Sequence, residues 1–236
     1  MAFTEEETAG LRARAAEIIA RYPRPRSALL PLLHLVQAQE GFVSAAGIGF
    51  CAAQLGLSEA EVTAVVTFYT MYKRRPVGEY HVGVCTNTLC AIMGGDDIHA
   101  ALADHLGVDG NEATVDGKVS LERVECNAAC DYAPVVMVNW EFFDNQTPES
   151  ARALVDGLRA GDDIAPSRGA ERLATWREAA MILAGYPDDQ AGTGQTAGPP
   201  TIAGLRIAKE NGWRPPRPAG QDSPAKRSAA GHGGPQ

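Results

Sequence analysis

Val84-Cys-Thr-Asn-Thr-Leu-Cys90 and Glu125-Cys-Asn-Ala-Ala-Cys-Asp-Tyr-Ala-Pro-Val135 are the two stretches on which the reading of this sequence turns. Together they hold four of the five cysteines, as a C-x4-C pair (Cys85, Cys90) and a C-x3-C pair (Cys126, Cys130). The segment between the pairs is long enough for a helix and a strand. Two thiolates on one loop can share one metal ion, and two such loops make a four-sulfur site, either a structural zinc or an iron–sulfur cluster. Disulfides are a third reading. No apolar secretory segment follows Met1, however, and clustered cysteines in a cytosolic protein point to metal binding or catalysis.

Spacing alone suits zinc as well as iron, but the surroundings favour iron–sulfur. Each pair follows an alternating run, Tyr80 to Cys85 and Val119 to Cys126, so each is expected on a loop leaving the same end of a sheet. Thr86, Asn87 and Thr88 offer side-chain donors. Ala128, Ala129 and Gly94-Gly95 let backbone N–H groups approach the sulfurs closely, and such hydrogen bonds stabilise an anionic cluster and tune its potential.

The two loops, with Gly94-Gly-Asp96 after the first, resemble the cluster loops of the thioredoxin-like [2Fe-2S] ferredoxin component of NADH-quinone oxidoreductase, respiratory complex I. The resemblance extends upstream through Ser27-Ala-Leu-Leu-Pro-Leu-Leu-His-Leu-Val-Gln37 and Val66-Thr-Phe-Tyr69, and so covers roughly residues 5 to 160. It implies that Cys85, Cys90, Cys126 and Cys130 ligate one [2Fe-2S] cluster, each close pair holding one iron. It also implies a thioredoxin-like fold and a one-electron carrier that exchanges electrons with the FMN of the NADH-binding partner chain. Asn127 and Asp131 depart from the Leu-Gly and Val-Asn of many relatives, which puts the cluster's potential, though not its ligation, at variance with theirs.

The charge fits such a role and excludes others. The formal net charge of −8 argues against a nucleic-acid surface, which relies on Lys and Arg clusters. The acid lies in residues 1 to 160, with 12 Lys+Arg against 21 Asp+Glu, and an acidic body around an anionic cluster predicts a low reduction potential. The most apolar stretch, Ala28 to Val36, is short and holds Pro31 and His34, so no membrane span is expected. The acidic start at Thr4-Glu-Glu-Glu7 is unlike a mitochondrial transit peptide. The expected location is cytoplasmic, peripheral to the inner face of the plasma membrane through the complex.

Read in order, the sequence divides at about Val77 and Gly161. Residues 1–76 read as an N-terminal helical bundle of four helices. A capping box at Thr4/Glu7 opens the first, which runs to Pro23, and the second runs from Ser27 to Gly41. The third covers Ser44 to Leu55, and the fourth opens at the capping box Ser58/Glu61. Residues 77–160 alternate strand and helix: strand to Cys85, helix Asp97 to Leu106 with Asp96 as N-cap, strand Lys118 to Glu125, strands Val135 to Asn139 and Glu141 to Phe143, helix Glu149 to Arg159. Periodicity gives α/β; the resemblance gives the thioredoxin-like [2Fe-2S] domain. Residues 161–236 are a Gly/Pro-rich C-terminal extension, docking or disordered, with helical islands at Arg168 to Leu183 and Thr201 to Asn211 and an extended tail from about Arg214.

Other chemistry-bearing residues have plainer readings. Cys51, among Phe50, Ala52 and Ala53, reads as core, and His34 as a core or boundary histidine. His99 and His105, six apart on a helix, do not share a face. A Rieske-type centre needs two histidines in place of two cysteines, and the four cysteines already complete a set without His81. Asp96 and Asp97 suit a helix start better than catalysis. No G-x-G-x-x-G follows a strand, so NADH and FMN are expected only on the partner chain. Three other functions share parts of this pattern: the ferredoxin component of an NAD-linked formate dehydrogenase or bidirectional hydrogenase, a structural zinc-binding assembly module, and a thiol–disulfide oxidoreductase, which would normally show C-x-x-C.

Overall fold

The computed structural model describes residues 3–108, 112–190 and 193–215. Residues up to Gly198 form one compact unit and those from Pro199 a second.

The first unit begins with four helices, α1 (Glu5–Ile19), α2 (Leu29–Glu40), α3 (Ala45–Leu55) and α4 (Glu59–Phe68). Their starts follow from local chemistry. Thr4 and Glu7 close one reciprocal capping box and Ser58 and Glu61 another, while Ser44 caps α3. Helices α2 and α3 end at Gly41 and Gly56, both in the left-handed conformation that glycine adopts without strain. Pro31 falls at the third position of α2, where a helix loses little by lacking its N–H. Leu11, Ile18, Leu32, Leu33, Leu35, Val36, Val62 and the Cys51 side chain meet in the bundle core.

The sheet follows: β1 (Tyr80–Cys85), β2 (Val119–Val124), β3 (Val136–Val138) and β4 (Glu141–Phe143), in the order β2-β1-β3-β4. β1 and β2 run parallel, Tyr80 opposite Val119 and Cys85 opposite Val124. They are linked by a crossover containing α5 (Thr88–Ile92) and α6 (Gly95–Leu106), the kind of connection that parallel neighbours need. β3 is antiparallel to both β1 and β4. The β3–β4 hairpin turns on Asn139 and Trp140, both at positive φ, as a two-residue turn of matching twist requires. Helix α7 (Pro148–Ala160) packs with α6 against the sheet. Val82, Val84, Ile98, Leu102, Leu121, Val136, Val138, Val155 and Leu158 make this second core.

The first loop and the start of α6 differ from expectation. Gly94, not Asp96, precedes α6 as its cap; Asp96 lies in the first turn, where its carboxylate pairs with Arg123 instead. The first loop also contains the short helix α5, which has no counterpart in the sequence pattern because five residues show no period.

The extension up to residue 198 belongs to the first compact unit. Leu173 joins the sheet core and Ile164 packs on it, while Ala184 joins the bundle core with Met181 and Tyr186 beside it. Its helix α8 (Trp176–Leu183) is shorter than the expected island and packs along α2. Trp176, 1% exposed, donates from Nε1 to the Gly41 carbonyl at 2.7 Å and lies edge-on to His81 at 5.3 Å. Its backbone N–H donates to the Glu79 carbonyl at 2.8 Å. A single residue thus touches the end of α2 and the start of β1. In the second unit, α9 (Ala203–Glu210) is flanked by exposed Ile202 and Trp213 and carries exposed Leu205 and Ile207. Beyond Pro215 the expected tail lies outside the described residues.

Candidate metal centre

The parallel pairing of β1 and β2 decides where the cysteines go. Both strands run the same way and end level, so the loops carrying Cys85 and Cys126 leave the same end of the sheet. Backbone bonds join them there: Thr86 N–H donates to the Val124 carbonyl at 3.1 Å, and Cys85 N–H to the Val135 carbonyl at 3.2 Å. Cys85 and Cys90 are buried at 3% exposure, while Cys126 and Cys130 are exposed. The site therefore has a protein-facing side and an open side.

The Cys90 thiol lies beside that of Cys85 and within electrostatic reach of Cys130. Burial pushes it up to about 11, the two neighbouring sulfurs add to the rise, and a backbone hydrogen bond at Val135 opposes it. Cys90 on its own keeps its proton at neutral pH, so a metal that binds here must displace that proton. Cys126 stands further out, its sulfur accepting from Ala128 N–H at 3.3 Å, with Ala128 held at φ 52°. Among the described residues no three His, Cys, Asp or Glu side chains converge to hold a single ion. The arrangement is two pairs on facing loops.

Three features suit an anionic, sulfur-ligated group. The donor set is four thiols, soft ligands that suit iron–sulfur clusters. The side-chain nitrogen of Asn127, between Cys126 and Cys130, is buried with no hydrogen-bond partner, and a buried unused donor normally has an acceptor to satisfy it. Gly95 abuts the first loop so tightly that a Cβ there would lie 2.5 Å from the Cys85 carbonyl and 2.9 Å from that of Cys90. That contact fixes both buried cysteines against the start of α6.

The second loop is also braced from outside. Asp131, next to Cys130, accepts from Arg168 Nη1 at 3.0 Å and Nη2 at 3.3 Å, and Asp144 accepts from Nη2 at 3.1 Å. Nothing local predicts this, since Arg168 lies 37 residues from Asp131. Ala133-Pro134, which leads the loop into β3, is a cis peptide.

The remaining candidates fall where structure needs them. Cys51 is buried, its thiol pushed up to about 12 by burial. His34 is buried against Tyr72, and burial holds it down near 4. His99 is buried in α6, whereas His105 meets Asp156 at 2.7 Å, so the two face different neighbours. His81, by sequence only surplus to the cysteine set, sits in a buried network. Its Nδ1 is 3.0 Å from Ser120 Oγ and its Nε2 is 2.7 Å from Glu122, which also pairs with Lys73. This network floors a cavity of about 560 Å³ between the end of α4 and the β1–β2 strands, away from the cysteines.

The thioredoxin-like [2Fe-2S] ferredoxin family matches residues 15–159. The E subunit of NADH-quinone oxidoreductase from Mycobacterium tuberculosis strain H37Rv is 61% identical over 215 residues, covering 91% of this chain and 85% of its own length. The corresponding E subunit from Rickettsia bellii is 42% identical over 148 residues, covering 61% of this chain and 89% of its own length. Among solved structures, an NAD+-reducing [NiFe]-hydrogenase in the air-oxidized state aligns with a TM-score of 0.51 at 18% identity, over 56% of this chain and 23% of the hydrogenase chain. That likeness is one of fold.

Proposed function

This chain belongs to the thioredoxin-like [2Fe-2S] ferredoxins, among the E subunits of NADH-quinone oxidoreductase, and from that premise we propose that Cys85, Cys90, Cys126 and Cys130 are the four ligands of its cluster. Membership gives the rest of the core reading. The protein is a one-electron carrier subunit of an oxidoreductase complex with one [2Fe-2S] cluster, and the zinc reading gives way to it. The observation that carries the ligand assignment is the level ending of β1 and β2, which sets both cysteine pairs on facing loops.

Bound there, the cluster supplies a one-electron couple that no ordinary side chain offers. The protein's own residues hold and tune it. Cys85 and Cys90 fix one edge inside the protein, Gly95 keeps their backbone in place, and the Ala128 N–H and Asn127 amide offer hydrogen bonds on the second loop. Exposed Cys126 and Cys130 set the open edge toward a partner. Electron exchange with the FMN of the NADH-binding partner, and contact with other peripheral-arm subunits, follow from this exposure and from the complex to which the relatives belong. No helix among the described residues is long and apolar enough to cross a membrane; the cytoplasmic position on the inner face of the plasma membrane, reached through partners, follows from the complex to which the relatives belong. The division into bundle (1–76), cluster domain (77–160) and extension (161–236) serves this reading, with the middle part carrying all four ligands.

The test is a stopped-flow mixing of the dithionite-reduced protein with its partner carrying oxidised FMN. Cluster oxidation matched by flavin reduction, within one turnover time of the complex, is the expected result. A cluster that stays reduced beside oxidised flavin for many turnovers would remove the carrier role.

A further inference from the structure

Arg168 comes from the extension, yet its two carboxylate partners belong to the neighbourhood of the second cysteine loop. Its guanidinium forks onto both oxygens of Asp131, the residue after Cys130, and reaches Asp144 with the same Nη2. It lies between two rings, 5.2 Å from the centre of Tyr132 and 5.1 Å from that of Phe142. The three charged side chains are largely shielded, at 13%, 20% and 8% exposure for Arg168, Asp131 and Asp144. Screening by solvent is weak at such exposure, so these charges act over a longer range than a surface pair does.

The backbone holds Arg168 in place. Phe142 and Arg168 form an antiparallel bridge at the edge of β4. Ser167 N–H donates to the Phe142 carbonyl and Asp144 N–H to Ser167 Oγ, each at 2.9 Å, and Gly169 N–H donates to the Gln195 carbonyl at 3.1 Å. A planar fork held at both ends fixes a carboxylate in position, which a flexible lysine would not do.

We propose that Arg168 is a positioning residue for the cluster: through Asp131 it fixes the loop carrying Cys126 and Cys130 and cancels a carboxylate charge that would otherwise bear on the cluster. The inference rests on the ligand assignment above. The Asp131 charge beside an anionic centre disfavours taking up an electron, and the guanidinium offsets it. The extension is therefore part of the redox site, although it carries no ligand. The plainer alternative is a staple that only holds the extension down, and it predicts no effect on the redox couple.

The experiment is an EPR-monitored redox titration of the full-length protein, with iron and sulfide measured on each sample. Arg168→Met removes the cation that faces two carboxylates, so the couple shifts toward the oxidised form at least tenfold, about 59 mV lower for one electron. Arg168→Met with Asp131→Asn removes the charge along with its partner, and the couple returns to within threefold of the unmodified protein. Arg168→Lys keeps the charge, so its potential lies nearer the unmodified value than that of Arg168→Met, while the lost fork broadens the EPR signal. Arg168→Met with a full cluster and an unmoved potential would overturn the proposal, as would a double variant that fails to recover. If Arg168→Met loses its cluster, recovery of the cluster in the double variant supports the proposal and continued loss overturns it. Failure of the underlying ligand assignment is separate: it shows as missing iron and sulfide in the unmodified protein.

Discussion

Trp176→Ala is expected to destabilise the first compact unit by about 3–5 kcal/mol, the usual cost of truncating a buried aromatic to alanine. Trp176 is 1% exposed and packs against Trp140, with ring centres 5.7 Å apart, as well as against His81. Its indole N–H satisfies the Gly41 carbonyl, the C-cap position of α2. The alanine variant leaves a cavity and removes that bond. The larger loss is packing, since a net hydrogen bond is worth about 1 kcal/mol. At roughly 2–4 °C per kcal/mol for a domain of this size, the thermal midpoint falls by about 10 °C. Leu183→Ala, at the exposed end of the same helix, serves as control and should cost less than about 1 kcal/mol. A Trp176→Ala midpoint that stays with the Leu183→Ala control would show that α8 is an ornament on the fold.

Gly95→Ala is expected to cost about 1–3 kcal/mol, the range for overpacking, and to empty the metal centre. Alanine is normally worth up to about 1 kcal/mol more than glycine in a helix, so propensity alone predicts stabilisation. Here the added methyl would lie 2.5 Å from the Cys85 carbonyl oxygen and 2.9 Å from that of Cys90. Both obstacles are backbone and cannot rotate away. The overpacking outweighs the propensity gain, and whatever relief the backbone finds displaces Cys85 and Cys90. The measurement is iron per molecule after reconstitution, with Gly94→Ala as comparison. That second variant tests left-handed strain alone, since Gly94 has φ 105° but no atom near its missing Cβ. Less than half the normal iron in Gly95→Ala and near-normal iron in Gly94→Ala is the expected pattern. Full iron in Gly95→Ala would show that the contact does not shape the site.

Gly95 and Trp176 mark the boundary between what sequence encodes locally and what only the fold brings together. Alternation up to Cys85 and through Val119 to Val124 puts both cysteine pairs on strand ends, because a period of two is a local signal. Capping boxes at Thr4/Glu7 and Ser58/Glu61 are legible for the same reason, as reciprocal bonds three residues apart. The expected start of α6 is off by two residues because Asp96 is a good cap by type, while its carboxylate is engaged by Arg123 across the fold. Sequence shows Arg168 only as the edge of an expected helix, and Asp131 only as an unusual neighbour of Cys130. Their pairing spans distant parts of the protein, and no period or spacing encodes it. The same holds for His81, Glu122 and Lys73, three residues from separate segments that meet only when the bundle and sheet are in place. Trp176 lies within the expected helical island Arg168 to Leu183, and only its burial against Gly41 and His81 shows what that helix covers.

The most direct test of the central claim is iron and acid-labile sulfide analysis of the anaerobically purified protein, joined to an EPR spectrum after dithionite reduction. Four cysteines holding one [2Fe-2S] cluster predict two irons and two sulfides per molecule and an S = 1/2 signal, all lost together in Cys90→Ala but untouched in Cys51→Ser. Zinc in place of iron with no signal after attempted reconstitution, or a full cluster surviving Cys90→Ala, would contradict it.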